Sequence, residues 1–161
     1  MSAAAETVHQ ASAVVIAGRA LLIEGPPGSG KSSLALSLID RGAGLIGDDA
    51  VTLYGEGGTL IAAPPPNIAG LLEVRGVGLI RLPVAPPAPV ALILTLGGPP
   101  GARLPDSPLP CRTIAGVAVP VLAFDPGPVT PALRAEHALA LHGIGANAPS
   151  LSAATGREER R

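Results

Sequence analysis

Short apolar runs, broken by glycine and proline, make up most of the chain. The runs at 13–17 and 20–23 flank a Gly-Arg pair and predict two strands joined by a tight turn. The second run leads into a glycine-rich loop. Beyond this loop, Leu34 and Leu38 lie on one stripe of a predicted helix over about 32–41. The stripe is expected to pack on a sheet.

The remaining pattern predicts a mixed arrangement of strands and helices rather than a helical bundle. Strands are expected at 45–47, in a hairpin over 50–62, after a loop within 71–80, in a buried central run at 90–96, and singly or as a pair at 113–121. A last helix is expected after Thr130-Pro131, which supply an N-cap and a first-turn proline. Its predicted apolar side holds Leu133, Ala140, Leu141 and Ile144.

The composition fits one globular domain. The 161 residues are 47% hydrophobic and only 14% charged, while 21 Gly and 19 Pro imply many turns and short elements. We expect a domain over 1–146 and a disordered tail over 147–161. The amino terminus lacks the features of a signal peptide or a membrane span, so a cytoplasmic location and no membrane partner are predicted.

Charge and aromatic content argue against nucleic acid as a partner. The formal net charge is -1, basic residues cluster only at 157–161, and Tyr54 and Phe124 are the only aromatic residues. Cys111 is the single cysteine, which excludes an intramolecular disulfide and a cysteine-based zinc site. We expect its side chain to be half-buried as a small apolar group.

The sequence GPPGSGKS at 25–32 matches the phosphate-binding loop motif. A predicted strand precedes it and a predicted helix follows it, as the motif requires. Its glycines allow backbone N–H groups to converge on phosphate oxygens, and the helix adds the positive end of its dipole. Lys31 is expected to reach the terminal phosphates, and the Ser32 hydroxyl to bind Mg²⁺. An ordinary glycine-proline turn before a helix is the alternative.

Lys31 is also the only lysine of the chain, because the other ten of its eleven basic Lys and Arg residues are arginine. A compact ammonium on a flexible stem can enter a tight phosphate site that a broad planar guanidinium cannot. This usage favours the phosphate-binding interpretation.

Asp48 and Asp49 follow a predicted strand shortly after Lys31. If that strand is a parallel neighbour of the strand before the glycine loop, both carboxylates lie near the terminal phosphate. Adjacent residues on a strand point to opposite faces, so we expect one carboxylate at Mg²⁺ or its water and the other at the acceptor. From the residues alone, a solvated Asp-Asp turn has equal weight.

Glu73 and Arg75 form a second candidate pair, with a carboxylate for metal and a guanidinium for phosphate charge. From the residues alone, a surface ion pair on a strand is the favoured alternative. His9, His137 and His142 are expected on the same grounds to be exposed surface histidines.

Taken in order, these motifs resemble the catalytic domain of bacterial HPr kinase/phosphorylase. The resemblance runs from about residue 7 to residue 121, and Leu-Leu-Glu-Val-Arg-Gly-Val-Gly at 71–78 is its most specific part. His9, the glycine loop and the segments at 38–42, 45–51, 62–65 and 71–80 carry it. The resemblance implies an α/β, P-loop NTPase-like fold of the PEP carboxykinase type, with a mixed sheet flanked by helices.

The resemblance also implies an activity. Enzymes of this family are transferases that use ATP and Mg²⁺ to phosphorylate a serine of HPr, the small phosphocarrier protein of the sugar phosphotransferase system. Many of them also remove that phosphate by phosphorolysis. They are typically hexameric, so a homo-oligomer is expected.

Site residues follow from the resemblance position by position. The nucleotide phosphates are bound by Gly25, Pro26, Pro27, Gly28, Ser29, Gly30, Lys31, Ser32 and Ser33. Ser32 and Glu73 are expected to hold Mg²⁺. Asp49 is expected to accept the proton in the kinase direction, with Asp48 beside it, and His9 becomes a further active-site residue. Arg103 matches an arginine that the family has in an Arg-Leu pair, and Arg75 or Arg103 is expected to stabilise developing charge.

Three departures from the family pattern qualify this expectation. The match begins almost at Met1, without the family's usual N-terminal domain, and the last helix is shorter than in the family. The loop after Val121 reads Leu-Ala-Phe-Asp-Pro-Gly and has no Lys or Arg, which predicts weak or missing phosphorylase activity. The predicted function is a Mg²⁺-dependent HPr serine kinase. A nucleotide-binding regulatory protein with weakened catalysis and a kinase of another small acceptor are the alternatives.

Overall fold

The computed structural model describes residues 6–145, so the tail predicted over 147–161 lies outside the described residues. Within this range the strands are β1 Thr7–His9, β2 Ser12–Ile16, β3 Arg19–Glu24, β4 Gly44–Gly47, β5 Val51–Glu56, β6 Thr59–Ala63, β7 Leu71–Val74, β8 Gly78–Arg81, β9 Ala88–Thr95, β10 Cys111–Ile114 and β11 Val117–Ala123. The helices are α1 Lys31–Asp40 and α2 Pro131–His142. The chain therefore has the mixed strand and helix content that the sequence predicts.

Nine strands form one mixed sheet in the order β1-β5-β6-β9-β3-β2-β4, with β11 also paired to β9 and β10 paired to β11. The central strand β9 runs parallel to β3 and β11 and antiparallel to β6. Its apolar run is bounded by proline and glycine, as expected of a strand covered on both faces. The predicted central strand is confirmed.

The position of β4 differs from the prediction. We expected a parallel neighbour of β3, but β2 lies between the two and pairs antiparallel with both. The tight β2–β3 turn places β2 on that side of β3 and leaves no free edge for β4. Two successive antiparallel pairings restore the strand direction, so β3 and β4 still end at the same edge of the sheet.

Two apolar clusters lie on the two faces of the sheet. The first contains the buried sides of α1 and α2, with Leu21, Ile23 and Leu92 of the sheet. The second contains no helix residue among the described residues and includes Leu22 of β3, Ile93 of β9 and inward positions of β5 and β6. Because successive side chains on β3 alternate between the clusters, helices cover one face and the curled sheet closes over the other.

The helix α2 buries a different side from the one predicted. Ala132, Ala135, Ala138 and Leu139 are its buried residues, whereas Leu141 is 62% exposed and Leu133 39% exposed. Small alanine side chains allow a helix to lie close to its neighbours, so the alanine stripe decides the orientation. Thr130 precedes the helix in a left-handed conformation and makes no side-chain cap hydrogen bond.

Two further local predictions need correction. The segment 71–80 is a separate two-stranded hairpin, β7–β8, rather than a loop that enters one strand. Cys111 is exposed at the start of β10, not half-buried. No helix within residues 6–145 is long and apolar enough to cross a membrane.

Candidate functional site

The glycine loop, residues 25–32, connects the end of β3 to the start of α1. Gly28 and Gly30 adopt left-handed conformations with φ of 80° and 102°, which glycine reaches without steric cost. A Cβ built on Gly25 would lie 2.5 Å from Ser29 Oγ and 2.8 Å from the carbonyl oxygen of Leu96. The loop therefore closes tightly on itself and on the end of β9.

Lys31 occupies the first position of α1 with its side chain drawn back over the glycine loop. Its Nζ donates to the carbonyl oxygens of Gly25 at 2.7 Å and Pro26 at 3.1 Å. The residue is buried, and these carbonyls are its hydrogen-bond acceptors within the described chain. The ammonium is thus held against the first two residues of the loop.

Asp48 follows β4 and is the acceptor at the centre of a hydrogen-bonded network. Its Oδ1 accepts from Ser32 Oγ at 2.7 Å and from Ser12 Oγ at 2.9 Å. Its Oδ2 accepts from the backbone N–H of Glu73 at 3.1 Å. With only 8% of Asp48 exposed, this residue is not part of a solvated turn.

Asp49 differs from its neighbour in both exposure and backbone conformation. It is exposed, and its φ of 67° is left-handed, which is uncommon for a residue other than glycine. Its backbone N–H donates to Ser12 Oγ at 3.3 Å. The two carboxylates therefore lie in a bend rather than on opposite faces of a strand, with Asp48 directed inward and Asp49 accessible.

Glu73 and Arg75 lie on β7 and its turn, beside the glycine loop. The nearest guanidinium nitrogen of Arg75, Nη2, is 3.9 Å from where a Cβ on Gly28 would stand. Glu73 reaches the network through its backbone N–H, and its residue is exposed. Within the described residues the two side chains form no ion pair with each other, so the surface-pair alternative is not supported.

His9 is half-buried rather than freely exposed, and Glu24 is its partner. His9 Nε2 lies 2.6 Å from Glu24 Oε2. The Arg112 guanidinium donates through Nη1 to both oxygens of Glu24, at 2.7 and 2.8 Å. Burial raises the pKa of the Glu24 carboxyl, but the hydrogen bonds from His9 and Arg112 and their charge outweigh it, so the pKa lies below its ordinary value.

Arg103 lies apart from these residues in the exposed loop before β10. It lines a cleft of about 350 Å³ with Phe124, Arg134 and His137, between that loop and α2. No described contact connects Arg103 to the glycine loop. Ser33, also predicted to bind phosphate, is exposed on the first turn of α1.

The structure adds four residues that the sequence did not single out: Ser12, Glu24, Arg112 and Pro126. Pro126 Cγ is 3.5 Å from the position of a Cβ on Gly30, so the loop after β11 borders the glycine loop. Ser12 could have been found from the sequence, because it is a polar residue next to the apolar run of β2. Arg112 gave no signal, because its partner Glu24 is 88 residues away.

The loop geometry fits nucleotide phosphates. Ser29 Oγ is buried without a hydrogen-bond partner among the described residues, and buried hydroxyls of this kind are normally satisfied by a ligand, water or ion. For Mg²⁺, Ser32 offers hydroxyl lone pairs while its hydrogen is directed to Asp48. No group of three or more His, Cys, Asp or Glu in residues 6–145 could hold a metal ion. The few protein donors near the loop, such as the Ser32 hydroxyl, fit Mg²⁺, because this ion is commonly bound together with substrate phosphates and water.

A curled mixed sheet, helices on one face and a glycine loop between strand and helix define an α/β domain. Residues 1–84 match the family described as HPr Serine kinase C-terminal domain. The structure of the HPr(Ser) kinase/phosphatase from Coxiella burnetii matches with a TM-score of 0.69 and 31% identity, over 81% of this chain and 92% of that chain. The chain belongs to the HPr serine kinase C-terminal domain family, and the resemblance and fold class expected from the sequence are confirmed.

Curated relatives agree with this assignment. An HPr kinase/phosphorylase of Clostridium botulinum is 48% identical over 77 residues, which are 48% of this chain and 25% of that protein. An HPr kinase/phosphorylase of an Acidovorax species is 52% identical over 68 residues, 42% of this chain and 21% of that protein. The chain thus spans about a quarter of the length of the curated relatives that it matches.

Proposed function

We propose that the chain is a Mg²⁺-dependent kinase that transfers the terminal phosphoryl group of ATP to a serine of the phosphocarrier protein HPr. The hydrogen-bonded network that joins Ser32 of the glycine loop to Asp48, and through Ser12 to Asp49, is the observation that carries the proposal. This network supports a common site for the glycine loop and an accessible carboxylate. The names of the relatives support HPr as the acceptor.

The glycine loop is proposed to bind the phosphates of ATP through residues 25–33. Its backbone N–H groups and the Lys31 ammonium would neutralise charge that develops on the transferring group. Arg75, whose guanidinium lies beside Gly28, is the arginine best placed to add to that effect. Arg103 is retained only as a weaker candidate, because its described surroundings are in the cleft next to α2.

Metal binding is assigned to Ser32, with Glu73 as the second candidate. When bound with the nucleotide, Mg²⁺ supplies positive charge against the phosphate oxygens. Asp48 accepts the Ser32 hydrogen and leaves the lone pairs of that oxygen available. The backbone N–H of Glu73 fixes β7 against the same carboxylate.

Asp49 is proposed to accept the proton of the acceptor serine. As that O–H bond breaks, the serine oxygen forms a bond to the terminal phosphorus and the bond to the ADP oxygen breaks. The exposure of Asp49 leaves it open to an incoming protein, while the buried Asp48 is occupied by three donors.

The reverse reaction, phosphorolysis of phospho-HPr, is proposed to be weak. The loop after β11 has no Lys or Arg, although it borders the glycine loop at Pro126. Arg134 of α2 reaches this loop, but it donates to the carbonyl oxygens of Asp125 and Pro126. The test supplies phosphate and phospho-HPr and measures pyrophosphate. Release at the rate of the forward reaction would contradict the proposal.

The same proposal includes a hexameric, cytoplasmic enzyme, as the family resemblance implies. Exposed apolar side chains on the β7–β8 hairpin, with Val77 at 76% and Leu79 at 69%, are compatible with a covered surface in an oligomer. Sedimentation of the purified chain measures the assembly directly.

The activity is tested with the purified chain, Mg²⁺, γ-labelled ATP and HPr. Label on an HPr serine is expected, and an HPr variant with alanine at that serine should remain unlabelled. Asp49→Asn should lower the transfer rate by about 10²-fold or more, since a general base is lost, and leave the nucleotide Kd nearly unchanged. Asp106→Asn, which removes an exposed carboxylate from another loop, is the matched control. Wild-type transfer by the Asp49 variant would remove Asp49 from this role.

A second candidate is a nucleotide-binding regulatory protein with weakened catalysis. The loop beside Gly30 has no Lys or Arg and favours this candidate, because it adds no cation to the site. Tight ATP binding without label on HPr or on any other protein would support this candidate. Label on a different small acceptor would instead indicate another kinase specificity.

A further inference from the structure

Three charged or titratable side chains from separate elements meet where β3 ends and the glycine loop begins. Glu24 is the last residue of β3, His9 the last of β1, and Arg112 lies on β10. Glu24 uses both carboxylate oxygens on these two partners. We call His9, Glu24 and Arg112 the Glu24 cluster. The partners of Glu24 are 15 and 88 residues away in sequence, so the tertiary fold alone creates the cluster.

The hydrogen bonds define the state of the His9 ring. The lowered pKa of Glu24 makes it an ionised carboxylate near neutral pH, and such a group can only accept hydrogen bonds. The hydrogen on the imidazole is therefore assigned to Nε2, which lies 2.6 Å from Glu24 Oε2. Nδ1 of His9 is left as the second ring nitrogen, available to another group.

Arg112 is anchored by one side of its guanidinium. Nη1 donates to Glu24, while Nη2 and Nε have no hydrogen-bond partner among residues 6–145. Its side chain is 41% exposed. The guanidinium thus keeps donors that an oxyanion can reach, and its position is fixed by the carboxylate.

The backbone places the cluster between the two parts of the proposed site. The carbonyl of Gly25, the residue after Glu24, accepts from Lys31 Nζ. His9 pairs across the sheet with Val51, two residues after Asp49. The cluster therefore borders both the phosphate-binding loop and the segment that carries the exposed aspartate.

A carboxylate beside a phosphate-binding loop carries an electrostatic cost for binding. Glu24 repels nucleotide phosphates, and the cost is offset only by the partners that it holds. If the cluster were a structural ion pair alone, its loss would lower stability without a specific effect on the transfer step. An effect confined to transfer would instead show that the partners are positioned for the reaction.

We propose that Glu24 is a positioning residue for phosphoryl transfer, which holds the His9 ring in its Nε2–H form and anchors Arg112 beside the glycine loop. The inference rests on the proposed kinase function. Of the three residues of the Glu24 cluster, the sequence indicated only His9, and the inference adds Glu24 and Arg112.

Kinetics of Glu24→Gln test the role in transfer. We expect kcat for HPr phosphorylation to fall about 10- to 100-fold, as for a small misplacement of reacting groups. The nucleotide Kd should stay within about twofold or tighten, because a negative charge has been removed from beside the phosphates. Glu24→Asp keeps the charge and should recover part of kcat. Glu136→Gln, which breaks the Arg41–Glu136 pair, is the control and should retain wild-type kinetics.

The effect of Glu24 on the His9 tautomer is measured separately by the ¹⁵N chemical shifts of the His9 ring. These shifts are assigned with a His9→Gln variant. Wild type should show the hydrogen on Nε2, where Glu24 accepts it, and Glu24→Gln a mixture of both tautomers. Unchanged His9 shifts or wild-type kcat in Glu24→Gln would overturn the inference. A wild-type chain that does not phosphorylate HPr, yet shows the Nε2–H form, would overturn the proposed function while supporting the contact between Glu24 and His9.

Discussion

A single buried hydroxyl, that of Ser12, contacts both aspartates of the candidate site. It donates to Asp48 Oδ1 and accepts from the backbone N–H of Asp49, and the residue is fully buried. Asp48 keeps two other donors, Ser32 and the N–H of Glu73. Ser12 is thus the side chain that connects the inward carboxylate to the left-handed backbone of the accessible one.

Ser12→Ala is expected to impair transfer more than folding. The variant loses two hydrogen bonds of the buried hydroxyl, to Asp48 and from the Asp49 N–H, which should cost about 1–3 kcal/mol and is measurable by urea unfolding. Asp49 would lose the contact that fixes its backbone, so we expect kcat to fall about tenfold or more while the nucleotide Kd stays near wild type.

Ser37→Ala is the matched control for that change. The Ser37 hydroxyl donates to the Ser33 carbonyl on the exposed side of α1, away from both aspartates. Equal kinetic effects of the two alanine variants would contradict a specific role for Ser12.

For single residues, the sequence predicted which side chains belong to the candidate site better than it predicted their contacts. The positions of Lys31, Ser32 and Asp48 follow from local motifs, and the structure brings them together. Arg103 and Arg112 could not be ranked, because both are arginines near the same turn-rich segment. The pairing of β10 with β11, and of β11 with β9, decides which of the two reaches Glu24.

Among the elements, α2 shows how a small-residue stripe can decide which side of a helix is buried. The larger apolar residues predicted a side with Leu133 and Leu141, but the alanines and Leu139 form the buried side. Close approach of α2 to α1 and the sheet is possible only through small side chains. Residue hydrophobicity alone therefore did not predict which side of α2 is buried.

Leu139→Ala and Leu141→Ala should therefore differ in stability. Leu139 is 1% exposed and Leu141 62% exposed. The Leu139 change leaves a cavity and should lower the free energy of unfolding by about 2–5 kcal/mol, whereas the Leu141 change should cost less than about 1 kcal/mol. Urea unfolding of both variants checks the difference, and a larger loss for Leu141 would reverse the assignment of the buried side.

Strand prediction succeeded where the signal was local. The β2–β3 and β5–β6 hairpins and the buried β9 follow from apolar runs with turn residues between them. The neighbour of β3 was predicted wrongly, since pairing depends on the path of the whole chain. The β7–β8 hairpin was missed because its turn, Arg-Gly-Val at 75–77, lacks the usual pair of turn residues.

Across the whole molecule, the Glu24 cluster connects the amino-terminal strands to the last hairpin, β10–β11. Its effect on stability depends on pH in a defined direction. The folded-state pKa of Glu24 lies below its ordinary value of 4.5. The stabilisation is therefore fully present above about pH 4.5 and is lost as the pH falls through the folded-state pKa.

Thermal unfolding of wild type and Glu24→Gln from pH 7 to pH 3 measures this dependence. We expect wild type to have the higher Tm at pH 6–7, and the difference to shrink below pH 4.5 because the native carboxylate becomes protonated. A difference that stays constant, or that grows towards acid pH, would contradict the lowered pKa.

The central place of β9 in the sheet also has a consequence for biosynthesis. Nearly all candidate site residues lie before residue 76, but β3 and β6 meet only through β9, which begins at Ala88. A chain emerging amino end first would present the glycine loop and both aspartates before β9, which joins the β1-β5-β6 part of the sheet to the β3-β2-β4 part, has been made. Non-local pairing of this kind must await the later residues. The proposed binding of ATP should therefore become possible only late in translation, when β9 inserts between β6 and β3.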